Sequence, residues 1–175
     1  MQEKIYDEEK LNQLYLAMIA YDYGDAKRIQ HFAKVHSFAK LIAREEQLDE
    51  KSLFITEAAA YVHDIGIHPA EKKYGYQNGK LQEQEGPPEA EKLLKALDFP
   101  EDVTERVCYL VGHHHSYSNI DGMDYQILVE ADFLVNMYED GEEKAAVRKV
   151  LERIFKTPTG CKILREMFLA GEKEG

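Results

Sequence analysis

The chain has 175 residues, of which 44% are hydrophobic and 31% charged, the composition of one ordinary soluble globular domain. Its formal net charge of -11 disfavours attraction to nucleic acid or anionic lipid, so neither a nucleic acid polymer nor a membrane is an expected partner. Two distant cysteines, an N-terminus unlike a signal peptide and the lack of a long apolar run favour a cytoplasmic protein.

Hydrophobic residues recur every three or four positions in the first part of the chain, which is the period of amphipathic helices. The pattern predicts a first helix from Asp7 to about Asp22, a second from the N-cap Asp25 to about Gln47, and a third from Asp49 to Ile65. Gly66 would end the third helix. Residues 66–86 contain one proline and four glycines without a clear period, and therefore predict a long loop.

The second half of the chain also has a helical pattern. It predicts helices from Pro87 and Pro88 through Leu97, from Pro100 through Val111, around the stripe from Ile127 to Tyr138, from about Glu142 to Phe155, and after Pro158. No strand alternation or internal repeat appears. The sequence thus predicts an all-α fold with one domain over residues 1–175. Its core would span about residues 25–140, between an N-terminal helix and a C-terminal helical extension.

Five of the seven histidines fall in two short segments, YVHDIGIH and the run His113–His115, and the other two lie on the second predicted helix. Imidazole and carboxylate are the ligands of a hydrolytic or redox transition metal. Because His63 and Asp64 follow one another at a helix end, both can reach one ion. Asp132 lies beside an apolar stripe, where a buried carboxylate needs a cation or several hydrogen bonds.

The order His31, His63 with Asp64, and then Asp132 in the segment EADFL resembles the HD superfamily of metal-dependent phosphohydrolases. The segments HFAKVHSFAKLIA and AAAYVHDIG carry the resemblance, which extends over about residues 25–140. The resemblance implies an HD-domain helical bundle in which these four residues hold a first metal ion.

The resemblance also implies a second metal site, held by further histidines. The family pattern would put a histidine at position 85, where this chain has Glu85, and a carboxylate can replace an imidazole as ligand. His113 and His114 match the paired-histidine segment best, although His115 leaves an ambiguity of one residue. We therefore expect one or two divalent transition metal ions, such as iron or manganese, with Asp64 as the bridging ligand.

The resemblance implies catalysis by Asp64, because two ions that it bridges would bind the phosphate and deprotonate a water molecule. With one ion, the water would instead need a nearby base, for which His114, Glu85 or His68 could serve.

Substrate recognition is predicted from basic residues near the candidate ligands. Lys34 lies one helical turn from His31 and could contact a phosphate, as could His68. The segment EKKYGYQNGK places Lys72 and Lys73 beside Tyr74, which suits a nucleotide, whereas a solvated loop with surface tyrosines is an equally good interpretation. We predict a small phosphorylated substrate, a nucleotide or dinucleotide, and an oligomer is compatible with the sequence.

Two other functions agree with the same residues. Some proteins of the HD fold hold two irons and act as oxygenases with a similar ligand set, and a non-catalytic regulatory module could bind a nucleotide without turnover. Ile67 stands where cyclic-dinucleotide phosphodiesterases of the HD-GYP type have lysine, so the chain departs from that branch.

Overall fold

The computed structural model describes residues 6–171, and within that range the chain is α-helical without strands, as predicted. The termini of the predicted single domain, residues 1–5 and 172–175, lie outside the described residues. The helices are α1 (Glu8–Tyr21), α2 (Ala26–Glu45), α3 (Glu50–Val62), α4 (Ile67–Tyr74), α5 (Gly79–Ala96), α6 (Glu101–Val111), α7 (Met123–Asp140), α8 (Lys144–Arg153) and α9 (Pro158–Phe168).

Aspartate caps start the first three helices, two of them as the sequence predicted. The carboxylate of Asp25 accepts a hydrogen bond from the backbone N–H of Arg28, and Asp49 accepts one from Ser52. Each bond satisfies an N–H group that has no partner within the helix. The two caps fix where α2 and α3 begin and therefore the register of the histidines that these helices carry.

The loop predicted over residues 66–86 is wrong, because this stretch forms α4 and the first part of α5. Gly75, with a φ of 79°, ends α4 in the left-handed conformation, and the Asn78 side chain caps α5. The helix predicted to begin at Pro87 begins instead at Gly79, and Pro87 and Pro88 lie inside it.

The core forms around α3, whose residues from Phe54 to Val62 are all buried. Helices α2, α6 and α7 pack against it, and α1 covers another side. Three consecutive alanines, Ala58 to Ala60, have no exposed surface and allow the neighbouring helices to approach closely. Because α3 is enclosed in this way, the residues that follow its last turn enter the interior of the protein.

Two glycines bring the turn after α3 against α5 and α6. A Cβ atom added at Gly66 would lie 2.5 Å from the carbonyl oxygen of Gln82 and 2.7 Å from the backbone nitrogen of Gly86. A Cβ atom at Gly86 would lie 2.6 Å from a methyl carbon of Val111. The lack of side chains here therefore places the His63–Asp64 turn beside the end of α6, where the histidine run begins.

Gly66→Ala is expected to lower the free energy of unfolding by about 1–3 kcal/mol, because the backbone of α5 must move to admit the methyl group. Gly66 has a φ of -75°, so without this contact alanine would stabilise the chain through the unfolded state. Urea denaturation of the metal-free protein measures the effect. Unchanged or increased stability would show that the close approach is absent.

Candidate metal centre

Four side chains from three parts of the chain meet at the end of α3. Nε2 of His31, on α2, lies 3.2 Å from Nε2 of His63 and 3.2 Å from Oδ1 of Asp132, on α7. Nε2 of His63 lies 3.3 Å from the same Asp132 oxygen. Oδ2 of Asp64 completes the group, at 3.4 Å from His31 and 3.6 Å from His63.

These spacings fit ligand atoms around one ion. Metal–nitrogen and metal–oxygen bonds of about 2.0–2.2 Å in a tetrahedral arrangement separate the ligand atoms by roughly 3.3–3.6 Å. The site is also enclosed, since the exposed fraction of the side chain is 5% for His31, 0% for His63 and 6% for Asp132. Carboxylates buried so deeply need a compensating positive charge, which a divalent cation would supply.

Hydrogen bonds on the far side of the rings turn the imidazole Nε2 atoms towards the centre. Nδ1 of His63 donates to the carbonyl oxygen of Ala60 at 2.8 Å, one turn back along α3. Nδ1 of His31 donates to the carboxylate of Glu139 at 3.1 Å. A proton held on Nδ1 leaves the lone pair of Nε2 free, which is the tautomer that binds a metal through Nε2.

Asp64 also faces a second group of candidate ligands. Its Oδ1 atom lies 3.4 Å from Nε2 of His114, and His115 places a ring nitrogen within 4.8 Å of these atoms. Nδ1 of His114 donates to the carbonyl oxygen of Val111, whereas its buried Nε2 has no hydrogen-bond partner among the described residues. An unpaired buried nitrogen is costly unless a cation occupies the space in front of it. The two oxygens of Asp64 thus face different groups, as a bridging carboxylate would.

The histidine run curves through a turn that other side chains hold in place. The hydroxyl of Tyr125 donates to the carbonyl oxygen of His113 at 2.6 Å, and Glu83 accepts from the backbone N–H of His115 at 2.9 Å and the Ser116 hydroxyl at 3.0 Å. Neither Tyr125 nor Glu83 has a distinctive spacing in the sequence, so the sequence alone does not predict their role.

Of the run, the structure brings His114 and His115 to the centre, but not His113. The His113 ring stacks on Tyr109 with a centroid distance of 4.1 Å, and its Nδ1 donates to the carbonyl oxygen of Tyr109.

Comparison with known proteins assigns the chain to a family. The family model of the HD domain matches residues 28–157, which include all four residues of the first group and both histidines of the second. The chain belongs to the HD domain family. The expected relationship to that superfamily is confirmed.

A solved structure gives the same assignment. It is described as a predicted HD superfamily hydrolase from an uncultured Thermotogales bacterium, and it is 27% identical to this HD domain with a TM-score of 0.60. The match covers 90% of this chain and 82% of the other. No curated protein matches the sequence.

The ionisable ligands of the HD domain shift one another's pKa. Burial lowers the pKa of His63, but Asp64 and Asp132 outweigh it and raise the pKa to about 9. Burial raises the pKa of both carboxylates, whereas the neighbouring imidazoles hold each pKa below its ordinary value. Burial, with a smaller contribution from the neighbouring His114 ring, lowers the pKa of His115 to about 4. Without a metal, the raised pKa of His63 therefore favours a protonated imidazole in the first group.

The remaining predicted site residue near the second group is Glu85, and the structure places it outside both groups. Its carboxylate accepts hydrogen bonds from Nζ of Lys73 at 3.0 Å and from the hydroxyl of Tyr74 at 2.9 Å. Among the described residues, Glu85 does not belong to a cluster of three or more candidate ligand atoms that lie within 4.8 Å of one another. Glu85 thus joins α5 to α4 in this HD domain.

The predicted substrate-binding residues lie in several environments. Nζ of Lys34 pairs with Glu139 at 2.9 Å. Nε2 of His68 lies 3.3 Å from Oδ1 of Asp22, and the His68 side chain is 39% exposed. Lys72, Lys73 and Tyr74 are exposed on α4. None of the helices within residues 6–171 has the length and apolar character needed to cross a membrane.

Metal binding to this HD domain is expected to release protons, and its affinity should rise with pH. With a pKa of about 9, His63 is protonated at neutral pH in the metal-free protein and must become neutral to bind an ion. Affinity should therefore increase by up to about tenfold per pH unit below 9 and level off above it. Calorimetric titration with Co²⁺ in buffers of different ionisation enthalpy counts the protons. A flat affinity between about pH 6.5 and 8.5 would contradict the expectation.

Proposed function

We propose that this HD domain is a metal-dependent phosphohydrolase that acts on a small phosphorylated metabolite, in particular a nucleotide or dinucleotide. The observation that carries the proposal is that one oxygen of Asp132 and one of Asp64 each lie 3.2–3.6 Å from the Nε2 atoms of both His31 and His63, while the second oxygen of Asp64 is directed towards another histidine group. His31, His63, Asp64 and Asp132 would hold one ion, and Asp64 with His114 and His115 would hold a second.

Divalent ions in such a site supply Lewis acidity towards phosphate oxygens and lower the pKa of water. The protein controls access to the centre through Asp64, whose side chain is 18% exposed, whereas His63 and His114 show no exposed side-chain surface. A phosphate group would therefore approach from the Asp64 side. His31, His63, His114 and Asp132 stay shielded from bulk solvent, which strengthens electrostatic interactions with the developing charge.

In the proposed reaction, a water oxygen forms a bond to phosphorus while the bond from phosphorus to the leaving oxygen breaks. The water gives up a proton and the leaving oxygen gains one. We assign proton exchange to His68, which Asp22 holds through the contact between His68 Nε2 and Asp22 Oδ1. Burial raises the pKa of Asp22 to about 6, whereas the charge of His68 lowers it.

The proposed substrate class is supported by α4, which begins immediately after the His63–Asp64 turn. Lys72 offers positive charge on its exposed face, and Nζ of Lys73, which pairs with Glu85, lies 5.1 Å from the centre of the Tyr74 ring. Lysine binds phosphate and an aromatic ring stacks on a base, so a nucleotide matches both features. The net charge of -11 disfavours a nucleic acid polymer.

The test is a phosphate-release screen over nucleotides, dinucleoside polyphosphates and sugar phosphates, using protein loaded with Mn²⁺, Co²⁺ or, without oxygen, Fe²⁺. The proposal expects metal-dependent release with the highest rate on a nucleotide or dinucleotide. Oxygen uptake by the ferrous protein, without phosphate release, would indicate an oxygenase. Thermal stabilisation by a nucleotide without turnover would instead indicate a regulatory module.

A further inference from the structure

Glu139, near the end of α7, contacts the first candidate ligand from the side away from the metal centre. Its Oε2 atom accepts a hydrogen bond from Nδ1 of His31 at 3.1 Å. Its Oε1 atom pairs with Nζ of Lys34 at 2.9 Å, so each carboxylate oxygen has its own partner. The Glu139 side chain is only 16% exposed, and water therefore competes weakly for these bonds.

The carboxylate partner of its Nδ1 atom distinguishes His31 from His63 and His114. His63 and His114 donate from Nδ1 to backbone carbonyl oxygens, at 2.8 Å in each case. A carbonyl fixes the tautomer of the ring, whereas a carboxylate also adds negative charge behind it. That charge makes Nε2 a stronger electron-pair donor to a cation.

Glu139 belongs to a row of polar side chains along one face of α7. Asp132, Asn136 and Glu139 are spaced by four and three residues, which places them one above another on a helix. Nδ2 of Asn136 donates to Oδ1 of Asp132 at 2.9 Å, the oxygen that faces the two histidines. One face of α7 thus provides a ligand and contacts that orient two ligands.

The neighbouring lysine keeps Glu139 in this position. Lys34 lies one turn after His31 on α2, and its Nζ atom lies 5.4 Å from the centre of the Tyr138 ring. Lys34 therefore interacts with two consecutive residues of α7, and its contact with Glu139 stabilises the carboxylate in its charged form. The pairing also offsets the negative charge that Glu139 adds behind His31.

We infer that Glu139 is a positioning residue for the metal centre, which orients His31, fixes its proton on Nδ1 and strengthens its Nε2 atom as a ligand. The inference rests on the metal-dependent function proposed above and assigns a role in it to a residue that does not touch the ion. Lys34 acts through Glu139 and not as a phosphate contact.

The first test is a calorimetric titration of metal-free protein with Co²⁺, comparing wild type with Glu139→Ala, Glu139→Gln and Asp140→Asn. Affinity should fall about a hundredfold in Glu139→Ala and about tenfold in Glu139→Gln, whose amide oxygen still accepts the hydrogen bond but carries no charge. Asp140→Asn removes an exposed carboxylate from the adjacent position and should leave the affinity unchanged.

A second readout reports on the imidazole itself. In the Zn²⁺-loaded wild type, the Nδ1 proton of His31 should give a resolved downfield NMR signal that exchanges slowly with water. In Glu139→Ala that signal should broaden or disappear because the proton loses its acceptor. A purely structural role for Glu139 would lower the unfolding temperature without changing this signal in the folded protein.

The outcomes separate this inference from the proposed function. If the wild type binds Co²⁺ and releases phosphate while Glu139→Ala binds Co²⁺ equally tightly, only the role of Glu139 is overturned. If the wild type binds no Co²⁺, the metal-dependent function fails, and this inference fails with it. Should Glu139→Ala not fold, equal affinities of Glu139→Gln and Asp140→Asn for Co²⁺ would overturn the inference.

Discussion

Asp64→Ala is expected to abolish metal-dependent phosphate release and most of the metal binding. Oδ2 of Asp64 faces His31 and His63 and Oδ1 faces His114, so one substitution removes a ligand from both groups. Metal ions contribute several kcal/mol of transition-state stabilisation, which corresponds to a rate loss of about a thousandfold or more. Elemental analysis of the purified variant and its phosphate release measure the two losses.

Asp64→Asn tests the same carboxylate with almost no change in volume, so a folding defect is less of a concern. It should also lose activity, because the amide is neutral and has only one oxygen that can act as a ligand. The carboxylate presents one oxygen to each of the two groups. Asp140→Asn is the matched control on an exposed position and should keep wild-type metal content and rate. Full phosphate release by a folded Asp64→Asn protein would count against a metal-bridging role for Asp64.

The histidine run provides a second large and discriminating effect. His114→Ala should lower phosphate release by about a hundredfold, and His113→Ala should leave it within about threefold. The reason is their different directions: Nε2 of His114 is buried and faces Asp64, whereas the ring of His113 stacks on Tyr109 outside both metal groups. Steady-state kinetics of the two variants and the number of Co²⁺ equivalents that each binds provide the measurement.

His113→Ala and His114→Ala are adjacent substitutions of the same type, so each is the control for the other. Circular dichroism and thermal unfolding identify any loss that comes from the cavity left by the buried His114 ring. The opposite result would be an inactive His113→Ala and an active His114→Ala, both folded. It would mean that His113, and not His114, faces the metal centre.

The fold was largely predictable because most helices carry both a periodic apolar face and a terminal signal. Asp25 and Asp49 cap helices as predicted, and Pro100 directly precedes α6. The loop predicted for residues 66–86 is wrong because glycines are also typical of loops. Gly66 and Gly86 are instead sites of close approach between helices, a tertiary requirement that a local pattern does not show.

The four ligands of the first group are predictable because their order in the chain resembles the family pattern. His31, His63, Asp64 and Asp132 come together as expected, since each sits on or directly after a helix with a clear buried face. The sequence does not show which of the three consecutive histidines face the site, because residues beyond the last turn of a helix no longer follow the helical period.

The supporting contacts were not predictable from the sequence. Glu139 and Lys34 lie more than a hundred residues apart, on α7 and α2, and meet only because these helices pack side by side. Glu85 was proposed as a replacement ligand from its position alone, and in the structure Lys73 and Tyr74 engage its carboxylate. The partner of an exposed or half-buried charge depends on the packing of whole helices.

The most direct measurement is anomalous diffraction at the Mn absorption edge from crystals of Mn²⁺-loaded protein. The geometry predicts a peak about 2.0–2.3 Å from Nε2 of His31 and His63 and from the facing oxygens of Asp64 and Asp132. A crystal with full Mn²⁺ content but no peak among these four side chains would contradict the account.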